Sequence, residues 1–267
     1  MDINKLSISE ITTINWDFEQ DVKNYSLNGI KGIGVFRDKI EKYGIEKGIR
    51  LLNEFKMHVA EVSFCGLFTQ DSEETLKGRM KDAIKAIELT SKLKADCLLV
   101  VTGPIGKFTQ EDAIARVKSC LKELIPVAEK YKVKLALEPI HPMYRADWTI
   151  IHTLKDALDM VEEIDSKNLG IFFDVYHLWW ERDLYSQIKR ASEKIFGVHI
   201  NDWREKTRSL NDRTIMGYGI IPLKSILSAI KDTGYDGFYE VEIFSDELWK
   251  EDPNWLINEC KKQFEKI

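Results

Sequence analysis

The sequence has no run of the roughly eighteen apolar residues that a membrane helix needs. Its opening, Met1-Asp-Ile-Asn-Lys5, has no basic stretch leading into an apolar core, so neither a membrane partner nor a secretory leader is expected. The four cysteines, Cys65, Cys97, Cys120 and Cys260, form no CxxC pair. Zinc or redox work by that motif is therefore excluded, and reduced, buried thiols in a cytoplasmic protein are expected. Basic charge is in deficit: 39 Lys and Arg face 44 Asp and Glu, a net charge of −5. Binding of nucleic acid needs a basic face, so no nucleic-acid partner is expected. No GxGxxG turn follows the first strand near Ile14, which argues against a doubly wound sheet that binds a dinucleotide. No Gly/Ser-rich or Pro-rich linker divides the chain, which reads as one domain over residues 1–267.

What is present is strict alternation. Apolar runs at Leu6–Ile14, Gly29–Phe36, His58–Phe64, Cys97–Val101, Val133–Glu138, Leu169–Asp174, Ile195–Ile200 and Phe238–Ile243 read as eight strands. Helical patterns follow each of them: Phe18–Tyr25, Ile45–Phe55, Ser72–Leu93, Thr109–Tyr131, Thr153–Ile164, Leu184–Ala191, Leu223–Lys231 and Asn254–Phe264. Asp17, Ser72 and Thr109 stand where N-caps belong. Eight strand–helix units at this length predict a single (β/α)8 barrel.

Four of the runs end in a chemically active side chain: Leu135-Ala-Leu-Glu138, Ile171-Phe-Phe-Asp174, Phe196-Gly-Val-His199 and Tyr239-Glu-Val-Glu242. A strand-end acid can simply cap the next loop. Three carboxylates and an imidazole, each about one strand–helix unit from the last, form instead a donor set for a divalent metal at the C-terminal mouth of a barrel. Glu240 shares a strand face with Glu242 and is the alternative ligand. Glu242 is preferred because it lies nearer the strand end, and Lys134 is then a candidate partner for the deeper Glu240. His141, in the stiff loop Glu138-Pro-Ile-His-Pro142, is the candidate general base. Of the many aromatics that follow strands, Trp16 and Trp203 are expected to line a sugar pocket.

The runs LALEP (Leu135–Pro139), FDVYH (Phe173–His177), VHINDW (Val198–Trp203) and VEIFSDELW (Val241–Trp249) resemble the xylose-isomerase-like sugar isomerase/epimerase superfamily over nearly the whole chain. The resemblance implies that Glu138, Asp174, His199 and Glu242 hold one divalent ion, often manganese, with magnesium, cobalt and zinc as the other ions such a set takes. It implies that His177 contacts substrate or a metal-bound oxygen, and that Arg213, in Asn211-Asp-Arg-Thr-Ile-Met-Gly-Tyr-Gly219, belongs to the substrate-binding loop. It also implies a homo-oligomer. Two departures are visible. Ketose 3-epimerases of the superfamily carry a second Glu where this chain has Tyr144, which thereby becomes a substrate-facing candidate. The three-zinc DNA-repair enzymes need a further ligand where this chain has Thr214.

The resulting expectation is a metal-dependent isomerase or epimerase of a keto-sugar or ketopolyol. The ion polarises a carbonyl, and a base, His141, Glu138 or Glu242, removes the neighbouring proton. The same first step followed by elimination is a lyase. A His shortly after the ligand Glu resembles the catalytic subunits of bacterial C-glycoside deglycosidases, which work with a smaller partner subunit. A non-catalytic sugar-binding barrel is the third reading, and the intact quartet argues against it.

Overall fold

A computed structural model describes all residues, 1–267. Eight parallel strands close into a barrel: β1 (Leu6–Ser9), β2 (Gly32–Phe36), β3 (His58–Gly66), β4 (Cys97–Val101), β5 (Leu135–Leu137), β6 (Leu169–Asp174), β7 (Ile195–Ile200) and β8 (Tyr239–Val241), with β8 pairing back onto β1. The helices around it are α1 (Phe18–Leu27), α2 (Arg37–Tyr43), α3 (Ile45–Glu54), α4 (Glu73–Leu93), α5 (Gln110–Tyr131), α6 (Leu154–Ile164), α7 (Val175–Leu178), α8 (Leu184–Ala191), α9 (Leu223–Asp232) and α10 (Pro253–Phe264). No helix is long and apolar enough to cross a membrane.

The side chains along each strand alternate between two cores, as a period of two requires. Leu6, Ile8, Ile33, Val35, Leu98, Val100, Leu135, Leu137, Ile171, Phe173, Val198, Ile200 and Val241 pack with the helices in the large outer core. Cys97, Leu99, Val101, Ala136, Ile140, Tyr144, Phe172 and Tyr176 form a second, smaller cluster inside the barrel. Small residues make room there for large ones. A Cβ at Gly197 would stand 2.4 Å from the Phe172 ring, and one at Gly34 would stand 2.0 Å from Glu240 Oε1.

The cap residues act as the sequence implies. Asp17 and Gln20 make a capping box on α1, and Ser72, Thr109 and Thr153 accept the amides that begin α4, α5 and α6. Several bounds differ from expectation. The first strand ends at Ser9, because the chain turns from Glu10 onward and Thr12 Oγ1 donates instead to the Val241 carbonyl at 3.0 Å. The second begins at Gly32, since Gly29 has φ +74° and closes the turn after α1. The short helices α2 and α7 and a two-stranded ribbon pairing Asp202–Trp203 with Arg213–Thr214 were not expected.

Candidate metal and substrate site

Register brings the strand-end residues together. Asp174 on β6 pairs in register with His199 on β7, and His199 pairs with Glu240 on β8. Side chains at paired positions share a face, so all three point into the barrel, and Glu242 follows Glu240 one layer nearer the mouth. Glu138 comes from the residue after β5, where its N–H still donates to the Val100 carbonyl at 3.0 Å.

The four residues converge on one atom. His199 Nδ1 lies 3.6 Å from Glu138 Oε1, 3.9 Å from Asp174 Oδ2 and 3.3 Å from Glu242 Oε2. It is buried and has no hydrogen-bond partner. Donors gathered at ~2.1 Å around one ion stand roughly 3.0–3.4 Å apart, close to this spacing. Arg213 is the only guanidinium in the group: its Nη1 donates to Asp174 Oδ2 at 2.8 Å and to Glu242 Oε2 at 2.7 Å. In the forms that bind a metal, neutral imidazole and ionised carboxylates, three carboxylates against one guanidinium leave two negative charges buried, the deficit a divalent cation fills. Borderline nitrogen and hard oxygen donors also suit such an ion. The residues present therefore fit a divalent metal.

Charge balance shows in the protonation equilibria. Burial opposes the charge of Asp174, but Arg213, with His199 beside it, outweighs it and holds that carboxyl below its usual range. Burial raises Glu138 to about 7. Burial likewise raises Glu242, against the pull of His199 and Arg213. Burial disfavours the His199 cation, yet Glu242, Glu138 and Glu240 push its pKa well up.

Surrounding groups fix the geometry. Asp174 Oδ1 accepts the Tyr176 N–H at 2.8 Å, capping α7, and the Asn201 amide at 3.3 Å, which leaves Oδ2 for the cluster. Asn201 also donates to the Glu242 carbonyl at 3.0 Å. Arg213 sits between the rings of Tyr176 and Phe244, 4.7 and 5.0 Å from their centroids. It stands on the ribbon whose return loop Asp202 holds, accepting the amides of Gly217, Gly219 and Ile221. Arg213 Nη2 donates to His177 Nε2 at 3.1 Å, which puts the His177 proton on Nδ1. That nitrogen is buried without a partner, and burial lowers the His177 pKa to about 3, so the ring is neutral.

A cavity of about 200 Å³ opens above the cluster. Glu138, Arg213, Glu242 and the neutral His177 form its polar side, with Ser63, Asn211 and Tyr144 beside them. Phe36, Phe64, Leu99, Val101, Trp148 and Phe244 form the apolar side. Tyr144 faces the His177 ring edge-on at 5.6 Å and donates its hydroxyl to the Leu210 carbonyl at 2.6 Å.

Three expected residues lie elsewhere. His141 packs against Trp180 and Trp203, 5.4 and 5.0 Å between ring centres, and its Nδ1 accepts the Met143 N–H at 3.2 Å. It is outside the cavity lining, so the loop that resembles the deglycosidase subunits turns its imidazole toward tryptophans. Trp203 stacks on Tyr176 at 4.4 Å, and Trp16 packs toward Tyr25 at 6.5 Å; neither lines the cavity. Glu240 lies beneath His199, and its partners are Ser7 and His199. Lys134 is exposed and lies over the Phe196 ring at 4.8 Å, so it does not pair with Glu240. Sequence reasoning passed over Asn201 and Asp202, although both stand inside the VHINDW run.

The sequence model of the family described as "Xylose isomerase-like TIM barrel" matches residues 22–259. The chain belongs to this family. Within it, the chain is 26% identical to an inosose isomerase of Bacillus velezensis over 277 aligned residues, covering 98% of this chain and 96% of that one. The crystal structure of protein SMc04130 from Sinorhizobium meliloti 1021 superposes with a TM-score of 0.96 at 32% identity, covering 99% of this chain and 98% of that one. The fold is shared also with the IOLI protein, solved with a binding zinc atom, at a TM-score of 0.89, 24% identity and coverage of 98% and 97%.

Proposed function

We propose that this family member is a divalent-metal-dependent isomerase or epimerase of a keto-sugar or ketopolyol, inososes included. The observation that carries the reading is the convergence of three buried carboxylates on the unpartnered His199 Nδ1 at the floor of a cavity. Glu138, Asp174, His199 and Glu242 are the residues that would hold the ion. Bound there, a divalent ion supplies Lewis acidity to substrate oxygens, with manganese the first candidate.

The chain's own residues divide the remaining work. Glu138 and Glu242 both line the cavity and come from strands separated by β6 and β7, so their carboxylates approach a bound substrate from different sides. One takes the proton from the carbon next to the carbonyl; return from the other to the same carbon gives an epimer, and return to the neighbouring carbon gives an isomer. His177 Nδ1–H is an unpaired donor for a substrate hydroxyl or carbonyl. Arg213 holds Asp174 and Glu242 in place and adds positive charge beside developing negative charge. Tyr144 and the Phe64–Trp148 pair, T-shaped at 5.6 Å, offer faces for sugar C–H groups and keep water out. The inosose isomerase similarity supports the substrate class.

The test is proton NMR in D2O with the Mn2+-loaded protein and a panel of inososes and keto-sugars. Deuterium entering a carbon next to the carbonyl, with the skeleton kept, is the expected result. A loaded protein that exchanges no proton of any panel member overturns the reading.

A further inference from the structure

Beneath the proposed metal ligands lies a second set of buried polar groups for which substrate chemistry has no use. His199 Nε2, the nitrogen turned away from the three carboxylates, lies 3.2 Å from Glu240 Oε1. The other oxygen of Glu240 accepts the Ser7 hydroxyl at 2.6 Å. All three residues are buried, Ser7 and His199 completely and Glu240 at 1% exposure. Burying a carboxylate this deep is costly without hydrogen bonds, and both oxygens of Glu240 have a partner. Its place is cut for it: a Cβ on Gly34 would stand 2.0 Å from Oε1, 2.5 Å from Cδ and 2.6 Å from Oε2. Gly34 has no positive φ, so the missing side chain serves the space and not the backbone.

Resting on the metal reading above, we infer that Glu240 is the positioning carboxylate of His199. It accepts the Nε2 proton, fixes the tautomer that leaves Nδ1 as a lone pair, and sets the ring plane toward Glu138, Asp174 and Glu242. A metal-bound imidazole needs such an acceptor on its other nitrogen, and losing it typically weakens metal binding about 10–100-fold. The line Ser7–Glu240–His199 joins strands β1, β8 and β7, so the closing seam of the barrel fixes the metal's nitrogen ligand. Glu61 stands close by, but its Oε1 accepts the Ser63 hydroxyl at 2.5 Å and its Oε2 has no partner, so it lies outside this line.

The test uses the full-length chain stripped with a chelator, Zn2+ titrated in competition with a chromophoric chelator, and the visible spectrum after Co2+ loading. Glu240→Ala and Gly34→Ala are expected to weaken Zn2+ binding about 10–100-fold and to alter the Co2+ bands. Gly34→Ala does so without removing any charge. Glu240→Gln, which keeps an acceptor for Nε2–H, is expected to recover most of the affinity, and Glu61→Gln to leave it unchanged. Zn2+ affinity and Co2+ bands that stay at wild-type values in both Glu240→Ala and Gly34→Ala overturn the inference while the metal quartet stands. So does a loss in Glu61→Gln as large as in Glu240→Ala, which would make buried charge the cause. A wild-type chain that binds no Zn2+ overturns the quartet and this inference together.

Discussion

The two halves of the barrel use buried acids in opposite ways. In the half made by β1 to β4, Glu10 follows the first strand just as Glu138 follows the fifth. Yet Glu10 Oε2 is taken by the Phe36 N–H at 2.7 Å, and its neighbour Asp21 is paired with Lys39 at 2.6 Å. Thr13 adds a hydrogen bond to Asp21 at 2.6 Å. Glu61, on β3, leans on Ser63. Toward the cavity this half presents mainly Phe36, Phe64, Leu99 and Val101. In the half made by β5 to β8, three acids converge on one imidazole nitrogen and a single guanidinium. The difference is placement. Where each acid is answered by its own amide, hydroxyl or lysine, it stabilises the scaffold. Where three carboxylates converge on one imidazole nitrogen beside a single guanidinium, the remaining charge is available for an ion and a substrate.

The sharpest way to break this contrast is to remove an acid from the second half. Asp174→Asn is expected to abolish stoichiometric uptake of Mn2+ or Zn2+, read by elemental analysis after stripping and reloading. Ion content equal to that of the wild type would remove the quartet. The next effect compares one cation from each half. Arg213→Met leaves Asp174 and Glu242 without their guanidinium, and Lys39→Met leaves Asp21 without its ammonium. Each is expected to cost the ion-free protein about 3–5 kcal/mol, the usual loss when one partner of a buried pair is removed. Saturating Zn2+ should restore much of the Arg213→Met loss, because an ion that binds only the folded state stabilises it and relieves the two unpaired buried charges. In Lys39→Met the same ion should add no more than it adds to the wild type. Equal recovery in both variants, measured by denaturant midpoints, would mean that the halves do not differ as described.

The contrast also explains what could be read before the fold was known. Cys97–Val101, Leu169–Asp174 and Ile195–Ile200 are strands over the expected residues, since continuous apolar runs buried on both faces leave little choice. The acids and the histidine of the second half were legible because each ends such a run. Glu10 comes at the end of β1 in the same way but was passed over, because the expected strand ran on to Ile14, and nothing in the local sequence announces that the Phe36 amide answers it. Helix α2 was invisible because Ile40 is its only buried side chain, which gives no periodicity to detect. Glu240 meets Ser7 and Gly34 inside the barrel, each some two hundred residues away in sequence, and only the closed sheet brings them together. Where the His141 ring points was not legible for a related reason. Proline on both sides fixes the loop, but packing with Trp180 and Trp203 decides where the ring points.

That placement supplies the smallest test. Burial, with a contribution from His152, lowers the His141 pKa from the ordinary value of 6.5 to about 4. The unfolded chain therefore binds a proton at this residue across the interval from 6.5 down to 4, where the folded chain does not. Its contribution to stability is intact above pH 6.5 and is lost as pH falls toward 4. His141→Asn can still accept the Met143 N–H at the start of the short 142–144 turn and has nothing to titrate. The variant should show a flatter decline of stability between pH 6.5 and 4 and keep most of its turnover at pH 7. If turnover collapses while the fold and ion content are unchanged, the imidazole takes part in proton transfer. The division of labour assigned to Glu138 and Glu242 would then have to be redrawn to include the loop after β5.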